Sequence, residues 1–364
     1  MIESAIELTN LADIIDRWQS LTVLVIGDVM LDSYLIGHAD RLCQEAPVPV
    51  VAVNQRQDFP GGAANTAMNV ASLGAQVWLL SVIGHDQAGK RLQHVLAGST
   101  ISDQHLIRSD DRQTLTKQRV VANTQLIVRF DHGSTEALSP ELELQLIDRL
   151  IQLFPQCDAI IISDYQYGIL TPRIIDVLAD LQAQQPRPIV VDTKQLSAYQ
   201  AVNVTAVKPN YREAIQLLGL SQQTHDRANQ IAPFGDRLLQ ITGAKIAAVT
   251  LDTEGAIVFE QGQPVCHTTT QPAPQHQTSG AGDTFIATLT LALASRTPTP
   301  TAAFLASTAT AVVVQQPGTT PCAAIALSQS LKEQNQFVGD RLKDASKVPK
   351  LLHSPPKSPN SGGL

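Results

Sequence analysis

Residues 277–285 read QTSGAGDTF, so two glycines and an alanine stand directly before Asp283, and small and apolar residues follow. The spacing puts Gly280, Ala281 and Gly282 at the start of a helix over 284–295. There the first backbone amides lack acceptors within the helix, and the aligned peptide dipoles leave partial positive charge. Positions with almost no side chain let an anion approach those amides, which suits phosphate oxygens. Asp283 would then lie beside the phosphate position, where a carboxylate can take the proton of an attacking hydroxyl. Alone, the segment is equally compatible with a tight turn whose acid caps a helix.

Two further stretches shift that balance. GDVMLD (27–32) follows an apolar run of strand length and brings Asp28 and Asp32 to its carboxyl end, where open α/β sheets bind ligands. PGGAANTAMNVASLGA (60–75) supplies Gly61 and Gly62, which permit close backbone approach, and Asn65, whose amide both donates to and accepts from a sugar hydroxyl. Each has a plain explanation in turns and close helix–sheet packing. Together they describe two polar-lined sites facing one cleft.

Near-continuous apolar runs at 21–28, 75–84, 158–164, 187–192, 205–210 and 244–250 have the character of strands buried on both faces. Helical periodicity fills the intervals at 64–73, 87–96, 141–154, 173–184, 212–219 and 226–242, and 4–18 reads as an amphipathic opening helix. This alternation predicts an α/β chain with a mostly parallel central sheet. Segments 48–54 and 114–131 instead alternate polar and apolar residues with no helix between. They predict a small antiparallel β lid, from about 46–60 and 112–131, that carries Lys117, Arg119 and Arg129. The apolar edge at 48–53 invites pairing, so a homodimer through the lid is expected. One domain over 1–340 is expected, followed at 341–364 by a Pro-, Ser-, Lys- and Gly-rich tail that reads as disordered.

Composition removes several classes of function. A net charge of −7 argues against a sequence-independent nucleic-acid binder, which needs a basic face. Polar residues interrupt every apolar run before membrane-spanning length. The segment MIESAIELTN carries acids where an export signal carries bases, and the 4 cysteines form no CxxC pair. A cytoplasmic protein with free thiols is expected, without nucleic-acid or membrane partners. The 9 histidines include no HxGH signature, so no nucleotidyl-transfer domain is expected.

The phrases DVMLDSY, EAPVPVV, PGGAANTAMNVASLGA, IGHDQAG, TKQRV, ISDYQYG, KPNYREA and TSGAGDTF, in this order over 21–319, resemble the ribokinase-like (PfkB) carbohydrate kinases. The resemblance implies a ribokinase-like three-layer sandwich and a sugar kinase using ATP and Mg2+. It implies that Asp283 is the base and that the amides of Gly280, Ala281 and Gly282 form an anion hole. Asn210 and Glu213, in KPNYRE, match a motif serving nucleotide phosphates and magnesium, Glu213 acting through water. Lys194, Thr250 and Gly255 fall on the nucleotide side. Asp28, Asp32, Gly61, Gly62 and Asn65 would hold the sugar, and Lys117, Arg119 and Arg129 a phosphate on it; Arg41 is a further cation of this kind.

EAPVPV, TKQRV and SDY are most similar to kinases of D-glycero-β-D-manno-heptose 7-phosphate. These give the 1,7-bisphosphate on the ADP-heptose route to lipopolysaccharide core. Another sugar or sugar phosphate with the same Asp283 chemistry, or a catalytically weak binding module, are the alternatives. Two positions depart from the pattern. Gln277 replaces an acid of a monovalent-cation site, which speaks against potassium activation, and Tyr167 stands where SDYxKG has lysine.

Overall fold

A computed structural model describes residues 9–269, 280–316 and 319–333, so Gln277, the start of the 4–18 segment and the 341–364 tail lie outside the described residues. In chain order the strands are β1 (Thr22–Gly27), β2 (Val29–Leu42), β3 (Pro49–Gly62), β4 (Gln76–Gly84), β5 (Leu106–Ser109), β6 (Leu115–Ala122) and β7 (Gln125–His132). They continue as β8 (Ala159–Asp164), β9 (Ile189–Thr193), β10 (Ala206–Val207), β11 (Ile246–Thr250), β12 (Ala256–Glu260) and β13 (Cys266–Thr268).

Nine of them form the central sheet in the order β13-β12-β11-β10-β9-β8-β1-β4-β5. Pairing is parallel from β5 to β11, and only the β11–β12 and β12–β13 pairs are antiparallel, so β12 alone runs against the rest. Side chains alternate across a strand, so Val23 and Val25 of β1 enter one apolar core while Leu24 and Ile26 enter the other. The helices Ala63–Ser72, Ala281–Ala294 and Thr299–Val313 cover the first face, and Pro140–Leu153, Pro172–Gln184 and Tyr211–Leu218 cover the second. The result is the three-layer arrangement expected of continuous apolar strands.

Differences from the sequence reading have local causes. The helix read over 226–242 breaks into Arg227–Ile231 and Gly235–Thr242. Pro233 lies between them, and proline removes a backbone donor and crowds the preceding turn. The run at 205–210 yields only the two-residue β10, because Pro209 ends the ladder. β5, β12 and β13 were not read as strands from the sequence.

The second sheet, ordered β3-β2-β6-β7, is the lid. β2–β3 and β6–β7 are antiparallel, but β2–β6 is parallel, so the lid is mixed rather than purely antiparallel. The reason is connectivity. Between β2 and β6 the chain returns through the body as a helix, β4, a second helix and β5, a crossover that brings the strand back in the same direction. β2 was not read as a strand, because Asp32, Ser33, Tyr34, His38 and Asp40 interrupt its apolar pattern.

Gly62 ends β3 with φ +58°, and a Cβ there would run into the Asp28 carbonyl oxygen. Gly62→Ala is therefore expected to destabilise the fold by about 2–3 kcal/mol, measurable as a lower denaturant midpoint with an unchanged slope.

Candidate active site

The carboxyl ends of β1, β8, β9, β10 and β11 carry Asp28, Tyr165, Asp192, Lys208 and Thr250 on one edge of the parallel sheet. Two helices close on that edge. Ala63, Ala64 and Ala67 are fully buried, which lets the helix Ala63–Ser72 approach the helix Ala281–Ala294 closely. Thr284 Oγ1 donates to Asn69 Oδ1 at 2.8 Å and pins the two together. Asn65 and Thr66, one turn earlier, then face Asp283.

Gly280 is the N-cap of its helix at φ +84°, and Thr284 N makes the first intrahelical bond, 3.1 Å to Gly280 O. The preceding amides, including those of Gly280, Ala281 and Gly282, thus have no acceptor within the helix. A Cβ on Gly280 would meet Asn65 Nδ2 at 2.8 Å, and one on Gly282 would meet Lys208 Nζ at 3.3 Å. Gly280 is favoured by its left-handed backbone and the adjacent carboxamide, whereas at Gly282 the Lys208 ammonium would need to give by only a few tenths of an ångström.

Asp283 is 7% exposed. Its Oδ2 accepts from Asn65 Nδ2 at 2.6 Å, and its Oδ1 accepts from Thr66 Oγ1 at 3.1 Å and Tyr165 OH at 3.1 Å. Burial pushes its pKa up to about 6 despite the Asn65 bond, with Asp192 raising and Lys208 lowering it. Lys208 Nζ lies 3.0 Å from Asp192 Oδ2. Burial acts against that ammonium, yet Asp192 prevails and its pKa is raised, so it is a charged group beside the helix start. Lys208, Asp192, Thr66 and Tyr165 were not singled out from the sequence. Lys208 lies within KPNYRE and Asp192 within VDTKQ, phrases already quoted for other residues, but only the strand ends show where their side chains go.

The expected substrate residues divide. Asn65, expected on the sugar, uses its amide donor on Asp283 at 2.6 Å. Asp28 does not face the cleft: it is fully buried and accepts from the amides of Tyr165 at 2.8 Å, Tyr167 at 3.1 Å and Ile169 at 3.3 Å. Burial, opposed by those amides, lifts its pKa to about 6. Its place is explained by the loop, which leaves β8 with unpaired donors that must be satisfied. Arg112 grips the same loop through Tyr167 O at 2.7 Å. Asp32 and Arg119, both expected on the substrate, pair with each other at 2.8 Å. Gly61 adjoins that pair, where a Cβ would meet Asp32 Oδ2 at 2.7 Å. Arg129 pairs with Asp131 at 2.6 Å, and these two lie directly across the β6–β7 ladder from Arg119 and Lys117, while Arg41 lies exposed on the far part of β2.

Lys117 behaves differently. Its Nζ sits 5.2 Å from the ring centre of Tyr165 and 5.6 Å from that of Tyr167, which stack at 8° with centroids 6.5 Å apart. Burial lowers its pKa against the pull of Asp32. The lid thus supplies a cation over the position where Tyr167 replaces the lysine of the motif.

On the nucleotide side, Asn210 and Glu213 form a reciprocal cap: Asn210 Oδ1 accepts from Glu213 N at 3.0 Å and Glu213 Oε2 from Asn210 N at 2.9 Å. Burial raises the Glu213 pKa. Thr250 bridges Asn210, Lys194 is exposed beyond β9, and Gly255 turns the chain into β12 at φ +89°. Among the described residues no group of three His, Cys, Asp or Glu side chains could hold a metal. Magnesium carried on nucleotide phosphates fits that donor set, since it keeps waters and needs few carboxylates. Glu213 would then meet one of those waters.

A buried carboxylate beside the open start of a helix, with a second sheet that brings Lys117 near it, fits a phosphotransferase with an alcohol acceptor. The chain belongs to the pfkB family of carbohydrate kinases, whose family model matches residues 20–326. It is 33% identical over 341 residues to the bifunctional protein HldE of Desulfatibacillum aliphaticivorans, covering 93% of this chain and 69% of that protein. It is 33% identical over 329 residues to that of Geobacter sulfurreducens, covering 90% of this chain and 66% of that one. The chain thus spans about two thirds of the length of these relatives. Phosphofructokinase-2 of Escherichia coli, solved with substrates and products, shares the fold at a TM-score of 0.71 and 20% identity, over 86% of this chain and 99% of that one. The central α/β sandwich with its lid is accordingly ribokinase-like. Among the described residues no helix is long and apolar enough to cross a membrane.

A base must be ionised to take a proton. With the Asp283 pKa raised to about 6, kcat/KM for kinase turnover should fall as pH drops through that value and level off above it. Asp283→Asn, at any pH, should lose about 10²–10⁴-fold in kcat, as read by coupled ADP release.

Proposed function

We propose that this carbohydrate kinase, acting in the cytoplasm, transfers the γ-phosphoryl group of ATP to the anomeric hydroxyl of D-glycero-D-manno-heptose 7-phosphate. The product is the 1,7-bisphosphate. The observation that carries a phosphorylated acceptor is Lys117. It is a partly desolvated ammonium which, among the described residues, forms no ion pair and rests on two tyrosine faces. The carboxylates that act on it, Asp32 and Asp131, are each paired with an arginine, so this cation favours an anion brought by the ligand. The two HldE relatives support heptose among the sugar phosphates.

In this reading the sugar lies between Lys117 and Asp283, with its phosphate at the lid and its hydroxyl at the base. Asp283 accepts the hydroxyl proton. The amides of Gly280, Ala281 and Gly282, with Lys208 against Gly282, face the charge that develops on the migrating phosphoryl group. Magnesium, when bound with the nucleotide, would neutralise charge on its phosphates, and Glu213 is the carboxylate that would hold one of its waters. Asn210 and Thr250 line the nucleotide side.

Phosphorus NMR of a reaction with ATP and heptose 7-phosphate should show an anomeric phosphate appearing beside the retained 7-phosphate. No product from that sugar, but product from another in a panel, would transfer the reading to the other sugar. No product from any would favour a binding module. Lys117→Met should raise KM for the phosphorylated acceptor by about tenfold to a hundredfold, with KM for ATP unchanged.

The proposed assembly is a homodimer through the lid. Val128 and Phe130 share one face of β7, 48% and 43% exposed, and present an apolar patch on the lid. Sedimentation equilibrium should give a dimer at micromolar concentration and a monomer for Phe130→Glu.

A further inference from the structure

We propose that Tyr165 is a positioning residue that selects which oxygen of Asp283 acts as the base and ties that base to the lid cation. The inference rests on the kinase reading above. Its geometry is a shared side chain: the Tyr165 hydroxyl donates to Asp283 Oδ1 at 3.1 Å, while its ring lies under Lys117 Nζ at 5.2 Å.

A carboxylate oxygen has about two lone-pair sites. Oδ1 spends both, one on Tyr165 OH and one on Thr66 Oγ1, whereas Oδ2 accepts from Asn65 Nδ2 alone among the described residues. Oδ2 therefore keeps the open site. As the acceptor oxygen bonds to the γ-phosphorus, the bond from that phosphorus to the ADP oxygen breaks and ADP keeps the electron pair. The hydroxyl proton ends on Oδ2. Tyr165 remains a donor throughout, because burial and the neighbouring Asp283 hold its own pKa well above the ordinary value.

The same tyrosine determines how far the two chemistries stand apart. An anion drawn to Lys117 rests over the ring, and the hydroxyl end of that ring marks the base. An acceptor must therefore span one aromatic side chain between its phosphate and its reacting hydroxyl. Tyr167 extends the platform outward by stacking at 8°. The charged groups facing Asp283 are Asp192 from β9 and Lys208 from beyond β10, with Lys117 reaching it only through the Tyr165 ring.

The test compares the unaltered chain with Tyr165→Phe, which keeps the ring and removes the donor, and with Tyr165→Leu, which removes both. Carboxyl-13C-aspartate labelling, with Asp283 assigned through Asp283→Asn, reads the titration of the base directly. Losing a donor to the charged form should raise the Asp283 midpoint in Tyr165→Phe by about half a unit to one unit. The acid limb of kcat/KM should move with it, kcat should fall about fivefold, and KM for the acceptor should hold. Tyr165→Leu should add a rise in acceptor KM. An unmoved midpoint and acid limb in Tyr165→Phe, with the native chain active, would overturn the inference and leave the kinase reading intact. A shifted midpoint in a native chain that phosphorylates no sugar would overturn the kinase reading and with it the role of Asp283 as a base, leaving only the Tyr165–Asp283 hydrogen bond.

Discussion

Burying a carboxylate at the start of a helix is the constraint from which the rest of this site follows. Desolvation penalises the ionised form of Asp283, and a group held neutral would be a poor base. Asn65, Thr66 and Tyr165 each donate to it, and Lys208 adds positive charge nearby, which keeps ionisation within reach near neutral pH. These partners come from a helix, a loop after β8 and a segment after β10. The carboxylate therefore requires the sheet order that brings those segments to one edge. Gly280 beside it serves the same end, because Asn65 occupies the space a Cβ would need.

A second demand is that the lid and the body share parts. β2 begins one residue after Asp28, so the first strand of the body runs almost directly into the lid. Asp28 lies at that junction and uses its carboxylate on the amides of the loop that carries Tyr165 and Tyr167. Arg112 holds the same loop from the other side. A movement of the lid would thus act on the platform under Lys117 and, through Tyr165, on Asp283. The Asp32–Arg119 pair neutralises one lid cation internally, which leaves Lys117 as the partly desolvated positive charge over the tyrosines.

Much of this architecture was legible in the chain. Continuous apolar runs separated by helical periodicity are enough to imply a parallel sheet with two cores, because a strand buried on both faces has no polar side. The start of the Ala281–Ala294 helix was legible too, since small residues and an acid directly before an apolar helical run mark a helix start with open amides. The lid was visible as alternation, but its parallel β2–β6 pairing was not. Strand direction depends on the path of the intervening chain, and β2 carries too many polar residues to show as a strand.

Residue types and their order along the chain were sufficient to specify the α/β class, the small-residue turn at a helix start and Asp283 as a candidate base. These depend on local backbone geometry and on short phrases. Only the folded chain decided that Asp28 serves a loop, that Asp32 and Arg119 serve each other, and that Lys208 and Tyr165 meet Asp283. Asn65 and Asp283 themselves are 218 positions apart in the sequence. Which side chains meet at a strand's carboxyl end depends on the neighbouring strands, and no spacing along one segment encodes that.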